Sequence, residues 1–332
     1  MIVHYNPLEP QYAGGAESAI RDQSRALEQL GHEVRIEFSR PERACRQWKP
    51  DVIHFHTIHV DLGLNILRWA QKQKMPHCLS LHDYWPFCGD RMMMKQGAQR
   101  MNQRDESCSA VMGMCDGDCA DKPASESIKS IVNGSPTITF NLYSAEIFRR
   151  HGVHIDAVIP HAIDLELFRP DHDKRNGVRI ATTSAWPQYP TKGMRILREA
   201  LKEIGQKATL IHGVPRCRVA DELRKASIFV FPSCYEETWG LCLTEAMASG
   251  CACIASDVCG SRAQIEDGVN GLLFPNRDVS ALAQAIQRFI EDESLRVRIG
   301  EAAREWTEQK CNFERMGRDY EEFYGRVING GV

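Results

Sequence analysis

The chain lacks any apolar run approaching the roughly 18 residues that a bilayer-crossing helix requires. It also lacks blocks of like charge: 41 Lys and Arg stand against 44 Asp and Glu, a net charge of −3. That balance gives no support for nucleic acid as the main partner. No low-complexity tract is present, and no repeat is visible beyond a general rhythm of strand and helix. The chain opens directly on a strand-like M-I-V-H-Y without a signal-peptide pattern, which predicts a cytoplasmic protein and leaves peripheral membrane contact open. The thirteen cysteines are scattered, several of them in apolar runs (Cys78, Cys242, Cys251, Cys253), the pattern of reduced, buried core residues.

What remains is an ordinary globular composition over 332 residues, enough for two cores. Short apolar runs alternate with helical periodicity along both halves. Strands are expected at residues 1–5, 32–38, 51–56, 78–82, 138–142 and 157–160, then at 179–183, 208–212, 227–232, 251–256 and 272–275. Helices are expected at about residues 16–30, 62–73, 145–151, 192–204, 219–225, 279–291, 294–306 and 313–327. Strands alternating with helices imply α/β domains with parallel sheets. Residues 91–123 break the rhythm; polar and rich in Met and Cys, they read as an insertion or lid. The proline-bounded stretch Pro160–Pro170 reads as a crossover between domains. The expected division is 1–160, 161–312, and a C-terminal helix in 313–332.

The stretch Ser233–Gly250, S-C-Y-E-E-T-W-G-L-C-L-T-E-A-M-A-S-G, carries the most chemistry. It lies between two buried strands and so forms a βαβ unit, the usual scaffold for a phosphate-bearing ligand. A helix opening at Trp239-Gly240-Leu241 directs free N–H groups and a positive dipole end toward the preceding loop, where a diphosphate can rest. Glu245 lies further along, and helical side chains lean back toward the N-terminus. Glu237 and Glu245, seven residues between them, would repel a diphosphate but suit the hydroxyls at either end of it, because an ionised carboxylate only accepts hydrogen bonds. A nucleotide sugar has that layout.

With its neighbouring motifs the chain resembles a GT-B glycosyltransferase of the retaining family 4 type (glycosyl transferases group 1). The resemblance rests on G-G-A-E (Gly14–Glu17), L-G-H-E-V (Leu30–Val34), D-V-I-H-F-H (Asp51–His56), L-H-D-Y-W-P-F-C (Leu81–Cys88), T-K-G (Thr191–Gly193), Pro232–Gly250 and D-G-V-N-G-L-L-F (Asp267–Phe274), in that order. It implies two Rossmann-like domains facing across a cleft, the N-terminal one for an acceptor and the C-terminal one for a nucleoside-diphosphate sugar, with the last helix crossing back. It implies that Glu245 holds ribose, that Glu237 lies beside the donor sugar, and that the backbone at Gly240 and Leu241 meets sugar and diphosphate. Gly14 and Gly15 would close over the phosphates, where only small residues let backbone come so near. Lys192 would neutralise the leaving diphosphate, on which charge develops in the transition state. His82 would contact the donor sugar or transferred centre, and His56 is a candidate on the acceptor side. The implied reaction is transfer of a hexose from a UDP- or GDP-sugar to a sugar or lipid-linked saccharide acceptor, with anomeric retention, in polysaccharide or glycolipid synthesis, with no metal required for the chemistry.

The chain departs from the family pattern in places. An arginine commonly precedes the lysine in G-R-L-x-x-x-K-G, but here the run is S-A-W-P-Q-Y-P-T-K-G (Ser184–Gly193). Ala263 stands where an acidic residue is common, and Pro160–Asp164 reads P-H-A-I-D in place of P-N-G-x-D. The segment between Lys192 and Pro232 is short by about one strand–helix unit. Cys88, Cys108, Cys115 and Cys119 in the insertion are a candidate structural zinc site, with free thiols as the alternative, since their spacing holds no C-x2-C pair. Two other functions fit the same elements: a nucleotide-sugar 2-epimerase and a non-catalytic nucleotide-sugar-binding partner subunit.

Overall fold

The computed structural model describes residues 1–5, 14–38, 41–56, 64–87, 126–171, 177–184, 187–188 and 190–331. The four cysteines of the candidate zinc site lie outside the described residues. The described chain divides into two compact units, residues 1–162 with 313–331, and residues 163–312.

The first unit is built on a six-stranded parallel sheet of β1 (Ile2–Tyr5), β2 (Val34–Glu37), β3 (Val52–His56), β4 (His77–Ser80), β5 (Thr137–Thr139) and β6 (Ala157–Val158), in the order β2-β1-β3-β4-β5-β6. Its helices are α1 (Gly15–Gln29), α2 (Pro41–Trp48), α3 (Leu64–Lys72), α4 (Glu126–Asn133) and α5 (Leu142–Arg150). All five residues of β3 are buried, as expected for a central strand of a sheet covered on both faces. Strand order reverses between β1 and β3, and ligands of open α/β sheets bind beyond the strand ends at such a point. Glu17 starts α1 by accepting a hydrogen bond from the Gly14 N–H (2.9 Å). At α5 the bond runs the other way, the side chain of the cap residue Asn141 accepting from Ser144 N–H (2.8 Å). Leu142 is therefore the first residue of a helix rather than the end of a strand, because the Asn141 cap interrupts the apolar run.

The second unit is a five-stranded parallel sheet of β7 (Ile180–Thr183), β8 (Ala208–Ile211), β9 (Ile228–Phe231), β10 (Ala252–Ser256) and β11 (Leu272–Phe274), in the order β11-β10-β9-β7-β8. Between the strands run α6 (Met194–Glu203), α7 (Arg216–Lys225), α8 (Leu241–Ala248) and α9 (Cys259–Arg262), followed by α10 (Val279–Glu291) and α11 (Glu293–Lys310). The reversal here falls between β7 and β9. Helix α8 is apolar nearly all round, with Leu243 through Ala248 buried, so it belongs to the core rather than the surface. Gly300 of α11 comes so close that a Cβ there would lie 2.6 Å from the Gly250 carbonyl. Arg304 of α11 donates to the Ala248 carbonyl (2.8 Å) at the negative end of α8. The last helix, α12 (Phe313–Ile328), returns to the first unit and packs Tyr320, Phe323, Tyr324 and Val327 into its core. Its Gly317 lies against α1, where a Cβ would meet the Ala26 carbonyl at 2.9 Å.

Candidate functional site

The segments that follow β7 and β9 meet at the reversal point of the second sheet. Pro190–Lys192 form one turn of 3-10 helix, and α6 begins only at Met194. Lys192 therefore precedes the helix rather than opening it. Gly193 makes the break at φ 65°, with no room for a side chain, since a Cβ would lie 1.7 Å from the Pro232 carbonyl oxygen. The Cys234 N–H donates to the Thr191 carbonyl (2.7 Å), which ties the two segments together.

This tie brings Lys192 to Glu237. The ammonium donates to Glu237 Oε1 (2.7 Å) and to the Tyr235 hydroxyl (3.3 Å), and it lies 4.8 Å from the centre of the Tyr235 ring. Tyr235 in turn donates to Glu237 Oε2 (2.6 Å), and Ser233 Oγ donates to Oε1 (3.0 Å). Glu237 is thus held at both oxygens with its side chain only 11% exposed. Its neighbour Glu236 accepts from the Cys259 N–H (2.7 Å) at the start of α9.

Gly240 opens α8 at φ 95°, packed against the Phe231 ring, and no side chain caps the helix. Its first N–H groups are those an anion would use. Trp239 is locked beside it. Its indole donates to Thr244 Oγ1 (2.9 Å), Thr244 donates to Gln264 Oε1 (2.7 Å), and Gln264 Nε2 returns to the Trp239 carbonyl (2.7 Å). Gly260 permits the close approach, because a Cβ there would sit 2.1 Å from the Trp239 carbonyl.

Glu245 is buried on α8 and paired with Arg216, whose Nε donates to Oε1 at 2.8 Å. The guanidinium also lies over the Phe168 ring, 5.1 Å from its centre. Arg216 falls outside the helix expected from the sequence, which starts at Val219. Helix α7 begins instead at Arg216, directly after Pro215 at the cap position. The H-G-V-P-R run carries the signal: a glycine turn after a strand, then a proline at a helix start. Tyr235, two residues before Glu237, is a second site residue outside the sequence expectation.

A thiol lies among these groups. Cys242, in the first turn of α8, bonds Thr183 at the end of β7 and feels the charges of Glu237, Glu245 and Lys192. Burial, with the two carboxylates adding, pushes it up to about 12. Lys192, Glu237, Gly240, Leu241 and Glu245 are therefore brought together, and neither glutamate lies on a solvated surface.

In the first unit, His82 lies two residues beyond β4, which ends at Ser80, rather than within the strand. The aromatic part of L-H-D-Y-W-P-F-C is core: Tyr84, Trp85 and Phe87 are buried in one cluster with Phe148. The Asp83 carboxylate accepts the Trp85 N–H (3.0 Å) and fixes the turn. His82 Nε2 lies 3.1 Å from His56 Nδ1, and His56 Nε2 lies 2.8 Å from His4 Nδ1. His56 is fully buried with both nitrogens engaged. It does not present itself to an acceptor, because alternation along β3 turns it into the sheet's covered face. His54, on the same face, is held by Tyr324 (2.7 Å), Gln23 (3.0 Å) and Ser80 (2.8 Å). His161 stacks with His82, ring centres 5.8 Å apart. Burial holds His54, His56 and His161 well below the usual imidazole value and pulls His4 and His82 down to about 3, so all five rings are neutral near pH 7. Gly14 caps α1, and Gly15 is its first residue.

The two-unit architecture is the GT-B fold. Residues 195–306, within the second unit, match the family model for glycosyl transferases group 1. Over 99% of its length the chain is 24% identical to a D-inositol 3-phosphate glycosyltransferase of Corynebacterium kroppenstedtii, 89% of which is aligned. Local matches to relatives from Streptomyces reach 41% identity but align 26% of this chain with 18% of the relative. Among solved structures, sucrose-phosphate synthase of Thermosynechococcus elongatus superposes with a TM-score of 0.76 at 18% identity, covering 99% of both chains. Anabaena HepE, in complex with UDP and glucose, gives 0.72 at 16% identity, covering 98% of this chain and 99% of that one. No helix among the described residues is long and apolar enough to cross a membrane.

Proposed function

We propose that this protein is a retaining glycosyltransferase of the family 4 type that moves a sugar from a UDP- or GDP-sugar to an acceptor hydroxyl in the synthesis of a polysaccharide or glycolipid. The observation that carries this reading is the convergence of two buried carboxylates, one lysine and an uncapped helix start at the reversal point of the second sheet. The glycosyl transferases group 1 match over residues 195–306, which include Glu237, Gly240 and Glu245, supports it, as does the similarity in fold to a protein solved with UDP and glucose.

The diphosphate rests on the N–H groups at the start of α8, with Gly240 and Leu241 nearest. Ribose hydroxyls donate to Glu245 and sugar hydroxyls to Glu237. In the structure each carboxylate is paired with a cation, Glu237 with Lys192 and Glu245 with Arg216. An arriving diphosphate is the stronger anion for Lys192. Its binding draws the ammonium from Glu237, which then accepts hydrogen bonds from the sugar. As the glycosidic bond breaks, negative charge grows on the leaving phosphate, and Lys192 stabilises it. The leaving phosphate takes the acceptor's proton, and attack from the same face retains the anomeric configuration. By motif, Gly14 and Gly15 serve the donor phosphates and His82 the donor sugar. The acceptor is a sugar or lipid-linked saccharide, and the protein works in the cytoplasm with peripheral contact at the membrane.

The test is incubation of the purified chain with UDP- and GDP-sugars and a panel of saccharide acceptors, with product configuration read by proton NMR. Transfer with the donor's anomeric configuration is expected. An epimerised nucleotide sugar formed without acceptor would overturn the reading.

A further inference from the structure

Arg216 stands where its own helix disfavours it. It is the first residue of α7, whose first turn carries Arg216 and Arg218 and no acidic side chain. That turn is the positive end of the helix dipole, a poor place for two cations. Arg218 is largely exposed, 3.7 Å from Asp221. Arg216 instead has a side chain only 24% exposed, and its Nε donates to Glu245 Oε1 at 2.8 Å. Local preference and observed position disagree here, and such disagreements gather at functional sites.

The guanidinium has a fixed platform. It lies over the ring of Phe168, which is fully buried. Phe168 closes a turn, its N–H donating to the Asp164 carbonyl (2.9 Å). Arg304 fastens that turn to α8: its Nη1 donates to the Phe168 carbonyl (2.7 Å) and to the Ala248 carbonyl (2.8 Å). One side chain thus ties the platform of Arg216 to the helix that carries Glu245. A buried ion pair adds little stability over an apolar pair of the same volume, so stability alone does not account for this arrangement. What it does produce is a carboxylate with a fixed direction.

We propose that Arg216 is a positioning residue for the donor nucleotide: it holds Glu245 aimed at the ribose hydroxyls and stays on it when the nucleotide binds. This rests on the glycosyltransferase reading, in which Glu245 meets ribose, and adds the residue that directs the carboxylate. The two cations of the site then have opposite duties. Lys192 leaves Glu237 for the diphosphate, while Arg216, pinned over Phe168, remains with Glu245. A carboxylate has about four lone-pair sites, so one bond from Arg216 and two from ribose hydroxyls can share it. The guanidinium also offsets the charge of Glu245, which would otherwise repel a diphosphate nearby.

Calorimetry of the full chain with UDP and GDP, and with the dideoxyribose analogue of each, reads the ribose hydroxyls separately from the rest of the nucleotide. In the unaltered chain the analogue should bind about tenfold or more weakly, the value of a hydrogen bond to a charged acceptor. Arg216→Gln and Arg216→Met should shrink that ratio to about threefold or less, because Glu245 is no longer aimed. A general loosening of the site would weaken both forms alike and keep the ratio, and that result would overturn the proposal. In sugar transfer, donor KM should rise in both variants by more than kcat falls; the reverse would overturn it too. Equal affinity for the two forms in the unaltered chain, or no binding of either nucleotide, would instead overturn the ribose reading of Glu245, and the proposal with it. Should a variant fail to fold, nitrogen–proton NMR of the unaltered chain decides. The Arg216 Nε–H signal must stay protected from exchange when the nucleotide is added, and its loss would overturn the proposal.

Discussion

Lowering the pH from 7.5 to 5.5 should unfold the first unit while the second still holds. The cause is the buried histidines His4, His54, His56, His82 and His161, all of them pulled down by desolvation, with Arg315 adding to the effect on His161. In the unfolded chain each returns to about 6.5. Below that value the unfolded state binds protons that the folded state refuses, so stability falls as pH falls. The loss begins near pH 6.5 and continues down to the folded-state values, about 3 for His4 and His82. One pH unit below 6.5, each such histidine costs about 1.4 kcal/mol, and five together cost about 7 kcal/mol, comparable to the roughly 5–15 kcal/mol that holds a whole domain. The second unit holds none of these five histidines. Urea titrations at stepped pH, with peptide-resolved hydrogen exchange to separate the units, provide the assay. Exchange should rise first in peptides from β1, β3 and α12. First-unit stability that stays level between pH 7 and 5 would refute the reasoning, because neutral buried imidazoles cannot be insensitive to acid.

Three substitutions in the second unit give further predictions. Glu237→Gln removes the anion paired with Lys192; UDP or GDP should bind at least as tightly by calorimetry, while sugar transfer drops about 10–100-fold, the value of one hydrogen bond to a charged group. Weaker nucleotide binding in that variant would contradict the exchange of Lys192 between carboxylate and phosphate. Gly193→Ala forces a Cβ into the Pro232 carbonyl at a left-handed φ and should cost about 2–5 kcal/mol in urea unfolding; a loss below about 1 kcal/mol would mean that the close approach yields cheaply. Arg216→Gln leaves the Glu245 carboxylate without its guanidinium and should cost about 1–3 kcal/mol, less than a fully buried pair because Arg216 is a quarter exposed. Arg216→Lys should not restore it, since an ammonium cannot also lie flat over the Phe168 ring.

The sequence carried the alternation of strands and helices plainly, because buried β9 and β10 are continuous apolar runs and α12 shows its aromatic face at helical spacing. Element ends were less legible. They depend on single capping residues such as Asn141 and Pro215, and on turns such as Gly193 whose conformation only the facing Pro232 carbonyl explains. Helices α2, α4 and the one-turn α9 lie outside the helices expected from the sequence. In the site, Glu237, Glu245, Lys192 and Gly240 were legible because they stand in ordered motifs. Their pairing was not. Lys192 reaches Glu237 across 45 residues, and Arg216 reaches Glu245 across 29, distances that only the strand order closes. The histidine chain was equally hidden: His4 and His56 stand 52 residues apart and meet because β1 and β3 are neighbours in the sheet.

The most direct measurement is the thermal shift and calorimetric affinity of the purified chain with UDP, GDP, ADP and their sugars, repeated with Glu245→Ala and Glu245→Gln. One nucleotide class should stabilise the unaltered chain, and both variants should lose at least tenfold in affinity for it, about 1.4 kcal/mol, as the ribose hydroxyls lose their charged acceptor. Full nucleotide affinity retained in both variants would show that the sugar nucleotide does not lie along α8, and the assignment of this site would fall.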